Sequence, residues 1–142
     1  MKHIEQAANR TSASERGKFT DGVWQEELLD AQVTSGMRVH RFFYAPGSHS
    51  HWHSHTGEQA LLFVAGRARI RKVGEPPFEV GPGDLVYVAP GDKHWHGAVA
   101  NQFLVHFAFT ASGKTDWFEE VTDAEYVSAY IRDVAAGPGG RS

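Results

Sequence analysis

His53 and His55 stand two residues apart within GSHSHWHSHTGEQALLFVAG, residues 47–66, and Gln59 follows four positions later. A second stretch, GDLVYVAPGDKHWHG, residues 83–97, offers His94 and His96 at the same spacing. On a strand, residues two apart project to the same side, so each pair presents two imidazoles together. Gln59 keeps the parity of His55 if the chain between them stays extended. A turn or bulge at Thr56-Gly57 breaks that rule and makes Glu58 a competing ligand; otherwise Glu58 is expected to face solvent. Three imidazoles and one oxygen ligand leave open positions on a six-coordinate ion such as Mn, Fe, Co or Ni. Open positions are what a catalytic metal needs to polarise an oxygen or bind an anion. A lone His-x-His is usually an ordinary surface or core feature, but two such pairs framed by glycine turns point to one metal site. Only a folded barrel would bring the two segments together.

The elements between them read as short strands. Phe19 to Gln32 suits an irregular opening strand. Met37 to Tyr44 is β-branched and aromatic, bounded by Ser35-Gly36 and Pro46-Gly47, which is a strand signature. One polar residue or more interrupts each of its faces, so its inward side is undetermined. Further strands are expected at His51 to His55, Glu58 to Ala65, Arg67 to Val73 with one wet face, Phe78 to Val80, Leu85 to Ala89, His94 to Val99 and Gln102 to Thr110. Gly/Pro turns at Gly81-Pro82-Gly83-Asp84 and Pro90-Gly91-Asp92 separate them. Some eight to nine such strands make an all-β antiparallel sandwich or jelly-roll barrel. Thr122-Asp123-Ala124-Glu125 is a capping box. A short C-terminal helix is expected to run from it towards Val134, with Val127, Tyr130, Ile131 and Val134 on one stripe. Residues 1–17 read as a flexible arm, 18–136 as a single domain including that helix, and 137–142 as a loose tail.

Composition narrows the field. The chain has 142 residues, enough for one core. A net charge of -3 and the lack of a basic run argue against a nucleic-acid partner. With no cysteine there is no disulfide framework and no thiolate cage. Neither a signal-peptide core nor ~18 consecutive apolar residues is present, so the expectation is a cytoplasmic protein without a membrane partner. Nine histidines are present, and six lie between His49 and His96, a clustering that matters more than the total.

Gly47, His53, His55, Gln59 and Gly66 resemble the first cupin motif, G-x5-H-x-H-x3-E-x6-G, with Gln in place of Glu. Gly83, Gly91 and His94 resemble the second, G-x5-P-x-G-x2-H-x3-N, with Ala89 in place of Pro and Ala98 in place of Asn. The resemblance implies a cupin (RmlC-like) jelly-roll barrel. A narrower likeness rests on Gln59, on PGDKHWHG at 90–97, on His106 and on DWFEEVTDAEY at 116–126. These resemble the small bacterial monocupins that include manganese-dependent hydroxynitrile lyases. That resemblance implies the metal ligands His53, His55, Gln59 and His94, an acid/base role for His106, and His96 in the same pocket. It also puts position 40, His40 here, on a pocket-lining strand. Mn(II) is the expected ion, with Fe(II), Co(II), Ni(II) and Zn(II) as alternatives. His49 and His51 are peculiar to this chain and their roles stay open.

A neutral amide ligand leaves more of a divalent ion's charge uncompensated, which favours Lewis-acid chemistry and anionic ligands. An imidazole at His106 titrates near neutrality and suits proton transfer. Phe42, Leu61 and Phe63 are expected as an apolar pocket wall, whereas Trp52 and Trp95 have the opposite parity to the ligands and should pack outside it. The resulting expectation is a metal-dependent lyase acting on a small hydroxy or carbonyl compound. A cupin oxygenase and a non-catalytic small-molecule-binding cupin are the competing readings. A homodimer or higher homo-oligomer is expected, as a means of covering sheet edges and faces.

Overall fold

The computed structural model describes residues 1–5 and 11–128. Among them, eleven strands form two antiparallel sheets. The larger takes the order β1 (Ser12–Ala13), β2 (Val23–Leu29), β3 (Arg38–Tyr44), β10 (Leu104–Thr110), β5 (Gln59–Gly66) and β8 (Leu85–Val88). The smaller takes the order β11 (Thr115–Trp117), β4 (His53–His55), β9 (His94–Ala98), β6 (Ala68–Lys72) and β7 (Phe78–Val80). The all-β jelly roll expected from the turn spacing is the fold observed. Two strands were not foreseen. β11 pairs with β4, setting Thr115 opposite His55 and Trp117 opposite His53. β1 pairs with β2, so the stretch expected to be a free arm is tied to the sheet from Ser12.

The inner face of the larger sheet changes character along its strands. Arg38, His40 and Phe42 face a cavity, and Tyr44, next on the same face, is in the core. On β10 the order reverses: Leu104 is in the core, while Ala108 and Thr110 reach the cavity. Gln59 opens β5 at the cavity, and Leu61 and Phe63 follow into the core, both essentially unexposed. They are therefore not the pocket wall expected of them. They share Gln59's side of the strand but lie one and two steps deeper, where burial of each stabilises the fold by about 1.5–3 kcal/mol. Gly66, which closes β5, has φ +78°, and a Cβ there would come within 1.7 Å of the Phe103 carbonyl oxygen. Only glycine permits that approach.

The wet face expected on β6 fails at Arg69, which is fully buried. Its register partner across β7 is Glu79, and the two form an ion pair at 3.0 Å, which compensates the buried charge. On the outer side of the smaller sheet, Trp52, Trp95, Val121 and Tyr126 form a second apolar cluster, consistent with the parity of the two tryptophans. Residues 123–128 are helical, and the Thr122 hydroxyl accepts the Glu125 amide at 3.1 Å, one half of the anticipated capping box. Tyr126 rather than Val127 is the buried residue of this turn: its hydroxyl donates to the Ala98 carbonyl at 2.7 Å, whereas Val127 is exposed. Tyr130, Ile131, Val134 and the expected tail lie outside the described residues. Among the described residues no helix is long and apolar enough to cross a membrane.

Candidate metal centre

β4 and β9 meet at a single register pair, His53 opposite His94, with ring centroids 4.2 Å apart. His55 lies 5.2 Å from His53 and 5.6 Å from His94, and His96 lies 5.2 Å from His53, all between centroids. Hydrogen bonds on the far side of each ring fix its orientation. His53 Nδ1–H donates to the His51 carbonyl at 2.8 Å, and His94 Nδ1–H to the Asp92 carbonyl at 2.8 Å. Both tautomers leave Nε2 as the acceptor, the arrangement that orients a histidine for metal binding. His55 Nδ1 meets the Thr115 hydroxyl at 3.0 Å, and Trp117 stacks on His53 at 4.6 Å. Thus β11 braces two of the imidazoles. Nothing in Thr115-Asp116-Trp117 announces a strand; the parity of Thr115 and Trp117 opposite two candidate ligands is the signal that was available.

Gln59 joins from the other sheet. Its Nε2 donates to the Thr110 hydroxyl at 3.0 Å, which turns Oε1 the other way. At the donor centre three buried acceptors are left without a hydrogen-bond partner, His55 Nε2, Gln59 Oε1 and His94 Nε2, and deeper in the core His106 Nδ1 is also unpartnered. Leaving such groups unsatisfied is costly, and a divalent cation is the natural partner for two imidazole nitrogens and an amide oxygen. The donor chemistry therefore fits a metal. A second, tighter grouping overlaps this one: His53, His94 and His96 have ligand atoms within 4.8 Å of one another. Glu58 is exposed and its carboxylate takes the Tyr87 hydroxyl at 2.5 Å, so it does not compete.

Burial is the main reason these rings are neutral. It pushes His53 and His96 well below the usual imidazole range and His94 below it, and brings His55 to about 4. The neighbouring imidazoles add to the depression at His53, His55 and His96.

Behind the centre, Tyr44 links two histidines. Its hydroxyl lies 2.9 Å from His96 Nδ1 and 3.3 Å from His106 Nε2. His106 is fully buried, stacked on both Phe42 and Tyr44, and burial depresses it to about 4. His96 lines the cavity, whereas His106 does not. His106 thus reaches the cavity only through Tyr44 and His96. Tyr44 was missed because β3's inward face could not be chosen from the sequence.

The cavity beside the donors has a volume of about 540 Å³ and takes walls from both sheets. His40 and Phe42 line it, and His40 Nε2 pairs with Glu27 at 3.2 Å. Arg38, Thr110, Thr115 and Trp117 were not foreseen, nor was the rim formed by Ser12, Ala13, Glu15 and Lys18. His49 and His51 turn away from the donors. His49 Nε2 donates to the Val121 carbonyl at 2.8 Å, His51 Nδ1 accepts the Val121 amide at 3.1 Å, and His49 stacks on Tyr126 at 4.2 Å. Their role is to fasten the C-terminal segment onto the smaller sheet.

A jelly roll with histidines of two adjacent strands and a glutamine converging beside an inter-sheet cavity defines a cupin, and the chain belongs to the cupin family. The family model described as "Cupin domain" matches residues 40–109. Within the family, the chain is 40% identical over 111 residues to the (R)-mandelonitrile lyase of Granulicella tundricola, covering 76% of this chain and 85% of that protein. A cupin-like protein of Thermotoga maritima superposes with a TM-score of 0.81 at 31% identity, over 88% of this chain and 97% of its own. The polyketide cyclase RemF of Streptomyces resistomycificus superposes at 0.72 over 97% and 94% of the two chains; at 15% identity it is similar in fold alone.

Proposed function

We propose that the protein is a metal-dependent lyase that breaks or forms a carbon–carbon bond next to a hydroxyl or carbonyl oxygen of a small compound. The observation that carries this reading is the convergence of three unsatisfied buried acceptors, His55 Nε2, Gln59 Oε1 and His94 Nε2, beside an open cavity. His53, His55, Gln59 and His94 are the residues assigned to hold the ion, with Mn(II) the ion of choice. When bound, such an ion supplies Lewis-acid polarisation of the substrate oxygen. The likeness to a mandelonitrile lyase supports the reaction class and suggests the probe.

His96 is the residue assigned to move the proton. It lines the cavity, is neutral at pH 7 because burial depresses it, and is held by the Tyr44 hydroxyl. On a hydroxynitrile, the hydroxyl proton passes to His96 while the C–CN bond breaks and its electron pair leaves with cyanide. His96 then returns the proton to cyanide, leaving an aldehyde and hydrogen cyanide. Tyr44 and His106 position the imidazole and keep its far nitrogen hydrogen-bonded. Phe42 supplies an apolar wall for the substrate.

The deciding experiment is benzaldehyde release from mandelonitrile by manganese-loaded protein. Release that stops on chelation and persists under nitrogen is the expected result. Dioxygen uptake with the same substrate, lost under nitrogen, would replace the lyase by an oxygenase. No metal-dependent turnover of any substrate would leave a binding cupin.

Self-association belongs to the same proposal. The outer face of the larger sheet exposes Trp24, Met37, Val64, Leu85, Tyr87 and Phe109, an apolar surface that a second copy would cover. Light scattering after size exclusion should give twice 15.7 kDa; a mass of 15.7 kDa at micromolar concentration would refute it.

A further inference from the structure

The cavity holds an uncommitted cation. Among the residues lining it, Lys18 pairs with Glu15 at 3.2 Å and Lys114 with Asp116 at 3.2 Å. Among the described residues Glu15 is the only carboxylate in that lining, and Lys18 already engages it. Arg38 also lines the cavity, but its Nη2 is buried with no hydrogen-bond partner. A guanidinium carries five donors in a planar fork matched to a carboxylate. A buried donor left without an acceptor weakens the fold unless a ligand supplies one.

Its position is set by the sheet. Arg38 is the register partner of Thr110, and Thr110 in turn of Gln59. The three therefore form one row on the inner face, with backbones about 5 Å apart at each step. At the far end of that row Gln59 Oε1 faces the donor centre, and at the near end stands the guanidinium. A ligand with a reactive oxygen at the donors and an anionic group a few ångströms away spans this row.

Resting on the lyase reading above, we propose that the substrate is a small hydroxy or oxo acid, and that Arg38 binds its carboxylate. A neutral hydroxynitrile is then a surrogate that reacts without the Arg38 contact.

Calorimetric titration of the manganese-loaded protein with mandelate and with its neutral counterpart mandelamide tests this. Wild-type protein should bind mandelate at least about tenfold tighter, the ratio expected of a charge-assisted pair. Arg38→Met should weaken mandelate by about ten- to a hundredfold and leave mandelamide unchanged. Equal binding of the two ligands by wild type would overturn the proposal. So would a mandelate affinity that Arg38→Met does not alter, since the carboxylate would then be held elsewhere, the ion included. Azide supplies a further arm: if Arg38→Met weakens azide as much as mandelate, the guanidinium receives a small leaving anion, and the carboxylate assignment falls. Metal content and melting temperature check that the variant is folded, and Arg38→Gln replaces it if it is not. Mandelonitrile cleavage keeps the two ideas apart. Cleavage without discrimination between the ligands removes Arg38 and leaves the lyase; discrimination with no metal-dependent turnover of mandelonitrile or of any hydroxy or oxo acid removes the lyase and leaves the anchor.

Discussion

His55→Ala is expected to leave the purified protein with less than about a tenth of an equivalent of metal and no measurable turnover, while His96→Ala keeps its metal and loses turnover by about a hundred- to ten-thousandfold. The contrast separates the two overlapping donor groups. His53 and His94 belong to both, so their removal says nothing about the choice. His96 lies within the tighter histidine triplet, but its Nδ1 is engaged by the Tyr44 hydroxyl and it faces the cavity. His55 Nε2 and Gln59 Oε1 instead are buried next to each other without a well-formed hydrogen bond, and each side chain is oriented from behind, by Thr115 and by Thr110. Bracing from behind orients a ligand, but Tyr44 gives it to His96 as well, so what sets His55 and Gln59 apart is the unpartnered buried atom that each turns inward. Turnover in His96→Ala should recover little with added manganese, because the missing group is the proton carrier. Metal analysis and initial rates on the two variants decide the matter. Full occupancy in His55→Ala together with loss of metal in His96→Ala would reassign the ion to His53, His94 and His96.

The histidines of this centre were legible because their spacing is local: two residues on a strand, beside glycines that a barrel needs at its corners. Gln59 was legible from the motif spacing and not from parity, because the chain bends at Thr56 and Gly57 and crosses from the smaller sheet to the larger before Gln59 opens β5. What supports them was not. Thr115 and Trp117 gain their meaning only from pairing with β4 across some sixty residues of chain, and a three-residue strand carries too little pattern to be seen. Tyr44 was hidden by its own strand. The face it belongs to also carries Arg38 and His40, so alternation could not mark that face as inward. The inner face is polar at one end because a cavity is there and apolar at the other because the core is. The same gradient explains Leu61 and Phe63, whose side was right and whose depth was not. Arg69 shows the opposite limit: a charge reads as surface until its partner, Glu79, is known.

The metal-free protein should lose stability steeply on acidification from about pH 6.5 to about pH 4, and hardly at all between pH 8 and pH 7. The sign follows from burial. His55 and His106 are held at about 4 in the folded chain against about 6.5 when unfolded. Between those limits the unfolded state binds protons that the folded state refuses, so each fall of one pH unit costs about 1.4 kcal/mol per group. These two alone give about 3 kcal/mol per unit, and His53, His94 and His96, depressed in the same direction, steepen it. Over two units the loss approaches the whole stability of a small domain, roughly 5–15 kcal/mol. Urea titrations at pH 7.5, 6.0 and 5.0 measure it. Because His106 is no ligand, His106→Phe isolates one share: it removes the titration while filling the stack between Phe42 and Tyr44. The slope of this variant should fall by about 1.4 kcal/mol per pH unit, with its metal content unchanged. A metal-free protein equally stable at pH 7.5 and pH 5.0 would mean that these imidazoles are not held neutral by burial, and the account of His96 as a ready base would fail with it.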